Sequence, residues 1–226
     1  MLSLAEENHL KTIWHLSDAG QRSVTTTELA GRMNTKPASV TDMMKKLSAK
    51  NLIRYERYRG VSITDQGAAD ALAIIRKHRL WETFLVEKLG FRWHEVHEVA
   101  EQLEHVQSRL LVDRLDDFLG NPSADPHGHS IPDREGKFRQ PTGTPLSEMI
   151  SAYALKVISI RNGAPELLQY LTRIGIYIGA VIEVTDRRPF DGSMEVRIDG
   201  GRETILSREV SETIIDRKST RLNSSH

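Results

Sequence analysis

The feature that most constrains this chain is a change of hydrophobic period near residue 52. Before it, apolar residues recur at helical spacing three times. Leu10, Ile13, Trp14 and Leu16 lie near one face of a helix over Leu4 to Leu16, with Ser3 as a candidate N-cap. Leu29, Ala30 and Met33 form the inward face of "TTTELAGRM", with Thr27 as its candidate cap. Val40, Met43, Met44 and Leu47 form the stripe of "NTKPASVTDMMKKLSAKNLI". Pro37 sits early in that helix, where the missing N–H is tolerated, and Asn51 suits a left-handed exit. Then "LIRYERYRGVSITDQG" places Leu52, Ile53, Tyr55, Tyr58, Val61 and Ile63 in two short strands turning at Arg59-Gly60. Thr64 or Asp65 opens a long helix to about Leu89. Three helices followed by a two-stranded wing is the order of a winged helix-turn-helix.

The third helix turns Lys36, Ser39, Thr41, Asp42, Lys45 and Lys46 away from its apolar stripe, and the hairpin adds Arg54, Arg57, Tyr58 and Arg59. Short polar groups near a helix start suit base edges, and lysines farther on suit phosphates. A solvated amphipathic helix beside a basic hairpin would share each piece separately. The order of the pieces and the local charge favour double-stranded DNA as the partner. The chain of 226 residues has no formal net charge, yet residues 1–80 hold 13 Lys/Arg against 8 Asp/Glu, and residues 81–150 hold 7 against 13. A basic part beside an acidic part implies an anionic partner for one and a cationic partner for the other.

The acidic part contains "HEVHEVAEQLEH", residues 94–105, with three histidines and four glutamates. On one helix over 94–110, His94, His97, Glu98, Glu101, Glu104 and His105 share an arc of about 120°. Val96, Val99, Ala100, Leu103, Val106 and Leu110 occupy the other side. No Lys or Arg occurs from His94 to Gln107, so like charges meet at i,i+3 and i,i+4 with no internal relief. A bound cation would relieve them, whereas the plain alternative is a solvated face. "KHRLWE" adds His78 and Glu82 at i,i+4 on the preceding helix, and antiparallel packing would bring them to His97. The chain has no cysteine, so any transition-metal site uses nitrogen and oxygen ligands. That set suits Mn2+, Fe2+, Co2+ or Zn2+.

Residues 120–147, rich in Pro, Gly, Asp and Ser, read as a linker or a long ordered loop. After them "ALKVISI", "YIGAVIEVTDR", "SMEVRI" and "ETIL" are strand-like, with "APELLQYLTRIG" as one helix. That is the pattern of a small SH3-like β-barrel. The expected fold is mainly α with small β parts: a winged helix-turn-helix over 1–73, a helical domain over 74–119, the loop over 120–147, and a barrel over 148–216. Residues 217–226 show no apolar period and are expected to be disordered and a candidate for non-native sequence. Apolar runs fall far short of the roughly 20 residues of a membrane span, and the N-terminus lacks a signal-peptide pattern. A cytoplasmic protein with no membrane partner is expected.

With these segments in place, the chain resembles the diphtheria toxin repressor family of metal-dependent transcriptional regulators, in its manganese-responsive branch. The resemblance rests on "EENHLKTIWHL", "KPASVTDMMKKLSAKNLIRYERYRGVSIT", "RKHRL", "VAEQLEHV" and "DPHGHSIP", in that order. It implies a homodimer, a helical dimerisation and metal-binding domain, and a C-terminal SH3-like domain of FeoA type. It further implies a primary metal site of Asn8, Glu101, Glu104 and His105 and an ancillary site of His78, Glu82 and His97. Iron-type members carry cysteine where this chain has Glu101. Asn8 stands where the family often has Met or Asp, and Lys11 where some manganese sensors have a second carboxylate. "SIRNGAPE" in the barrel shows no match to the acid and amide that complete the ancillary site in iron-type members.

The implied function is a repressor of metal-ion homeostasis activated by Mn2+ or Fe2+, with Zn2+ or Co2+ as further ligands in vitro. Two other classes share some features. A metal-dependent hydrolase with a nucleic-acid-binding module would need a nucleophile or an H-E-x-x-H motif, and "HEVHE" has the wrong spacing. The expectation is therefore no enzyme. A winged-helix regulator without metal sensing would show the same DNA-facing residues.

Overall fold

A computed structural model describes residues 2–56, 59–137, 143–149, 154–161, 163–201 and 203–218. Arg57 and Tyr58, expected on the wing, lie outside the described residues.

The chain opens with α1 (Leu4–Leu16), α2 (Thr26–Arg32) and α3 (Pro37–Ala49), followed by β1 (Ile53–Glu56) and β2 (Gly60–Ile63). Ser3 caps α1 through a reciprocal capping box with Glu6. The cap of α2 is Thr25, paired with Glu28 in the same way, and not Thr27. Position 25 wins because only a residue three before Glu28 can exchange both bonds with it. Asn51 takes φ 57° after α3, and Thr64 caps the next helix. β1 and β2 pair antiparallel, and Val24 adds a bridge to Val61 that ties the α1–α2 connection to the wing. Leu10, Ile13, Leu29, Val40, Met44, Leu47, Ile53 and Val61 form one buried core.

α4 (Asp65–Leu89) is a single 25-residue helix that leaves this domain and becomes the spine of the next. Its start is seated on the wing at Gly67, where a Cβ would lie 1.9 Å from Leu52 O. α5 (Val96–Leu103) and α6 (Arg109–Phe118) pack on its second half. The single helix expected over 94–110 is therefore two. Glu104 is the C-cap of α5, and His105 lies beyond it. Ser108 opens α6 by accepting from Leu111 N–H, and such a cap forces extended backbone between the two helices.

Of the two alternatives for residues 120–147, the first part takes the form of an ordered loop. Ile131 packs into the α4–α6 core, and the buried Arg76 guanidinium donates to Pro132 O and Asp116. Residues 121–133 are an ordered strap on α4, and β3 (Thr144–Pro145) already belongs to the C-terminal sheet. β4 (Ala154–Ile160), β5 (Val181–Arg187), β6 (Met194–Ile198), β7 (Glu203–Leu206) and β8 (Ile214–Lys218) complete an antiparallel sheet ordered β3-β8-β4-β5-β6-β7. α7 (Pro165–Ile174) and α8 (Arg208–Thr213) flank it. β8 runs to Lys218, so residues 217 and 218, expected in a disordered tail, belong to a strand; residues 219–226 lie outside the described ones.

Gly67→Ala tests the wing–spine seat. The added methyl overpacks a backbone carbonyl, so the winged-helix transition should lose about 1–3 kcal/mol in urea denaturation. Unchanged stability would show that the seat is not tight.

Candidate metal centre

Carboxylates and imidazoles from four parts of the chain meet where α1, α4, α5 and the 121–133 strap converge. Nothing local to α5 alone creates this centre. It arises because α4 carries the first domain's α1 back across the face of α5.

At one end, α1 faces the α5 terminus. His105 Nδ1 lies 2.6 Å from Glu7 Oε2, and Gln107 Nε2 donates to Glu7 Oε1 at 2.8 Å. Lys11 Nζ donates to Glu101 Oε1 at 2.6 Å and to both oxygens of Glu104 at 2.6 and 2.8 Å. Asn8 Oδ1 is buried with no hydrogen-bond partner. Of the residues expected here, Glu101, Glu104 and His105 therefore gather opposite α1, with Asn8 on the facing helix. Glu7 had no place in the sequence reading. Its signal, a carboxylate beside Asn8, was present in "EEN" but indistinguishable from an ordinary acidic first turn.

In the middle, His78 connects two carboxylates. Its Nδ1 is 2.6 Å from Glu104 Oε2 and its Nε2 is 3.0 Å from Glu82 Oε1. His97 approaches Glu82 at 3.6 Å and Glu101 at 3.7 Å, with its ring 5.0 Å from that of His78. One ligand atom each from His78, His97 and Glu101 fits within 4.8 Å. His78, Glu82 and His97 thus come together as antiparallel packing requires. His94 does not join them: it precedes α5 and its Nε2 lies 4.0 Å from Glu95.

At the far end, Asp125, His127 and His129 of the strap form a second group within 4.8 Å. Asp125 Oδ1 accepts from the backbone N–H of both His127 and His129, and His127 Nδ1 lies 3.6 Å from Glu82 Oε2. Gly128 makes this turn at φ +82°, with a Cβ position 1.9 Å from Ile158 O on the barrel. The alternating D-x-H-x-H of "DPHGHSIP" was the available signal, but its ligands become convergent only through that turn.

Burial and charge act against each other throughout. Burial pushes the His78 imidazole down, but hydrogen bonds to Glu104 and Glu82 outweigh it and raise it to about 9. Burial likewise pushes the His127 imidazole down, but Glu82 and Asp125 outweigh it and raise it above its ordinary value. Glu82 is pushed up by burial yet held well below the usual carboxylate range by His127, His78 and His97. Glu101 is lowered by Lys11 against the opposing effect of burial. The donors are all carboxylate, imidazole and amide oxygen, and an orphaned buried Asn8 oxygen among them fits a divalent cation.

The residues expected to face DNA stand apart from this centre. Lys36, Ser39, Asp42, Lys45 and Lys46 are exposed on α3, as is Arg59 on the wing. Thr41 is half-buried and donates to Pro37 O at 2.9 Å, while Asp42 pairs with Lys45.

The three parts of the chain match three family models. Residues 1–61 match the iron-dependent repressor N-terminal DNA-binding domain, residues 64–133 its metal-binding and dimerisation domain, and residues 144–216 the FeoA domain. The chain belongs to the iron-dependent repressor family, of which the diphtheria toxin repressor is a member, and is a metal-dependent transcriptional regulator. It is 37% identical over 118 residues to an HTH-type transcriptional regulator of Methanocaldococcus jannaschii, covering 52% of this chain and 94% of that protein. It is 35% identical over 126 residues to the iron-dependent repressor IdeR of Mycobacterium tuberculosis, covering 56% of this chain and only 54% of that protein. Among solved structures, a manganese-dependent transcriptional repressor in complex with manganese superposes with a TM-score of 0.86 at 35% identity, covering 95% of this chain and 100% of that one. The repressor ScaR with bound Cd2+ superposes with a TM-score of 0.80 at 33% identity, covering 95% and 99%.

The raised imidazoles predict how the metal-free protein responds to pH. His78 and His127 keep protons that the unfolded chain would release above its ordinary value of 6.5. The stabilisation is complete below that pH and is lost as pH rises through about 9 for His78. Melting temperature in chelator should therefore fall over that window, and His78→Gln should remove much of the fall. An identical fall in the variant would rule out His78 as the proton holder.

Proposed function

We propose that the chain is a repressor activated by Mn2+ or Fe2+ that binds a double-stranded operator as a homodimer. Zn2+ and Co2+ would occupy the same ligands in vitro. The observation that carries this reading is the facing of α1, through Glu7, Asn8 and Lys11, by Glu101, Glu104 and His105 of the second domain. One helix of the DNA-binding domain thus supplies donors to a cation-attracting site otherwise owned by the dimerisation domain.

Asn8, Glu101, Glu104 and His105, joined by Glu7, are the residues that would hold the primary ion. His78, Glu82 and His97, joined by Asp125, His127 and His129, would hold an ancillary one. A bound divalent ion would supply positive charge to buried carboxylates and fix imidazole orientation. The protein's own residues do the rest. Glu104 and Glu101 anchor the site on α5, and Asn8 ties it to α1, so binding is strongest in one angle between the two domains. Binding energy that differs between domain arrangements is what makes a ligand an effector.

That angle sets the distance between recognition helices in a dimer. Half-sites lie about one DNA turn, roughly 34 Å, or a multiple apart. Leu110, Leu111 and Phe118 of α6 and Leu89 of α4 are exposed large apolar side chains on the second domain, and a second copy would cover them. Ser39 and Thr41 would read base edges and Lys36, Lys45, Lys46 and Arg59 would contact phosphates, with Asp42, which pairs with Lys45, orienting it. We read the chain as a non-enzyme acting in the cytoplasm; its family is one of transcriptional repressors, and no helix among the described residues is long and apolar enough to cross a membrane.

Two measurements test this reading. Glu101→Ala with His105→Ala should abolish Mn2+-stimulated operator binding while the protein stays folded, and should remove most of the thermal stabilisation that Mn2+ gives the wild type. Retained Mn2+-dependent DNA binding would exclude this seam as the sensor. Lys45→Ala with Lys46→Ala should weaken operator binding with little change in sequence preference, and should flatten the salt slope by about one unit per lost contact. Wild-type affinity and slope in that variant would exclude α3 as the DNA-facing helix.

A further inference from the structure

Lys11 occupies a position that suits a cation. Its ammonium makes three bonds of 2.6–2.8 Å to Glu101 and Glu104, residues 90 and 93 positions away. The lysine side chain is 13% exposed and that of Glu104 is fully buried. Such charge-assisted bonds are short and strong, and removing one partner leaves an uncompensated charge in the interior. Glu101 and Glu104 are also i,i+3 neighbours whose mutual repulsion needs an outside cation.

The two carboxylates bound by Lys11 belong to the ligand set proposed above. An ammonium is a compact point charge with no acceptor, so it cannot share their lone pairs with an incoming ion; it must yield some of them. It also joins the same two helices that a shared ion would join. We propose that Lys11 is a tethered cation that holds α1 against α5 in the metal-free protein and, by competing for Glu101 and Glu104, sets how much divalent metal the sensor needs. The metal half of this inference rests on the functional reading above, and the metal-free half does not.

A lysine that only stabilised the fold would cost stability when removed and would not suppress metal affinity. The competing role predicts the opposite sign for affinity, because removing a positive charge beside the site favours a divalent ion. The experiment uses full-length wild type, Lys11→Met, Lys11→Gln and Lys11→Arg. Hydrogen exchange in chelator reads residues 4–16 and 96–103, with the barrel strands β4–β8 as internal control. Mn2+ titration, followed by the electron paramagnetic resonance signal of the free ion, reads affinity.

In chelator, Lys11→Met and Lys11→Gln should exchange at least about tenfold faster in residues 4–16 and 96–103, with barrel amides unchanged. Lys11→Arg, which keeps the charge, should stay near wild type. In the titration, the two uncharged variants should bind Mn2+ about tenfold more tightly than wild type and Lys11→Arg. Wild-type exchange in both uncharged variants would overturn the holding role, and equal or weaker Mn2+ affinity would overturn the competing role. If barrel amides also accelerate in Lys11→Met, that variant has unfolded globally and Lys11→Gln decides by the same readout. If wild type and Glu101→Ala with His105→Ala bind Mn2+ alike, the functional reading has failed, while exchange in chelator still decides whether Lys11 holds α1.

Discussion

Mutual repulsion among buried carboxylates is the constraint on which the rest of this structure depends. Glu7, Glu82 and Glu104 are all buried, at 4%, 3% and 0% exposure, and Glu101 lies beside them. Charges taken out of water must be paired, neutralised or bound to metal. In the metal-free chain the pairing comes from Lys11 and from His78, His97, His105 and His127, each within about 4 Å of at least one of these acids. The seam is therefore closed by groups from α1, α4, α5 and the strap together. Loosening any of them exposes the others to repulsion.

This explains why the domains are interleaved. A metal site confined to α5 would report occupancy only to itself. Here the carboxylates of α5 are satisfied from α1, the first helix of the DNA-binding domain, and from α4, which is shared by both domains. The strap carries Asp125, His127 and His129 and is in turn held by the barrel, where Ile160 N–H donates to His127 O; Trp93, between α4 and α5, donates from Nε1 to Thr172 Oγ1 on α7. Trp93 also stacks on the His127 ring at 6.1 Å. The barrel thus bears on the geometry of His127 and its neighbours through the strap.

Much of this was legible in the sequence. The winged helix followed from three helical stripes and one change of period, each set by burial of a local face. The convergence of His78, Glu82 and His97 followed from i,i+4 spacing and antiparallel packing. What stayed hidden depended on contacts between residues far apart in the chain. Glu7 looks like any acid in a first turn until His105 and Gln107 arrive from 98 and 100 positions away. The break after Leu103 was masked because Glu101, Glu104 and His105 have helical spacing whether or not the helix continues. β3 and β8 are short strands whose pairing depends on the rest of the sheet.

The unbroken length of α4 turns the molecule into a lever. Its 25 residues extend about 37 Å at 1.5 Å per residue, from the wing at one end to the dimerisation core at the other. A tilt of about 10° at the core end would carry the wing end through about 6 Å on that length. In a symmetric pair the two wings would move in opposite senses, giving a relative change of about 12 Å, roughly a third of the 34 Å that separates half-sites one turn apart. A seam that rearranges by the size of a hydrogen bond thus has enough leverage to bring two reading heads into or out of phase with the DNA helix.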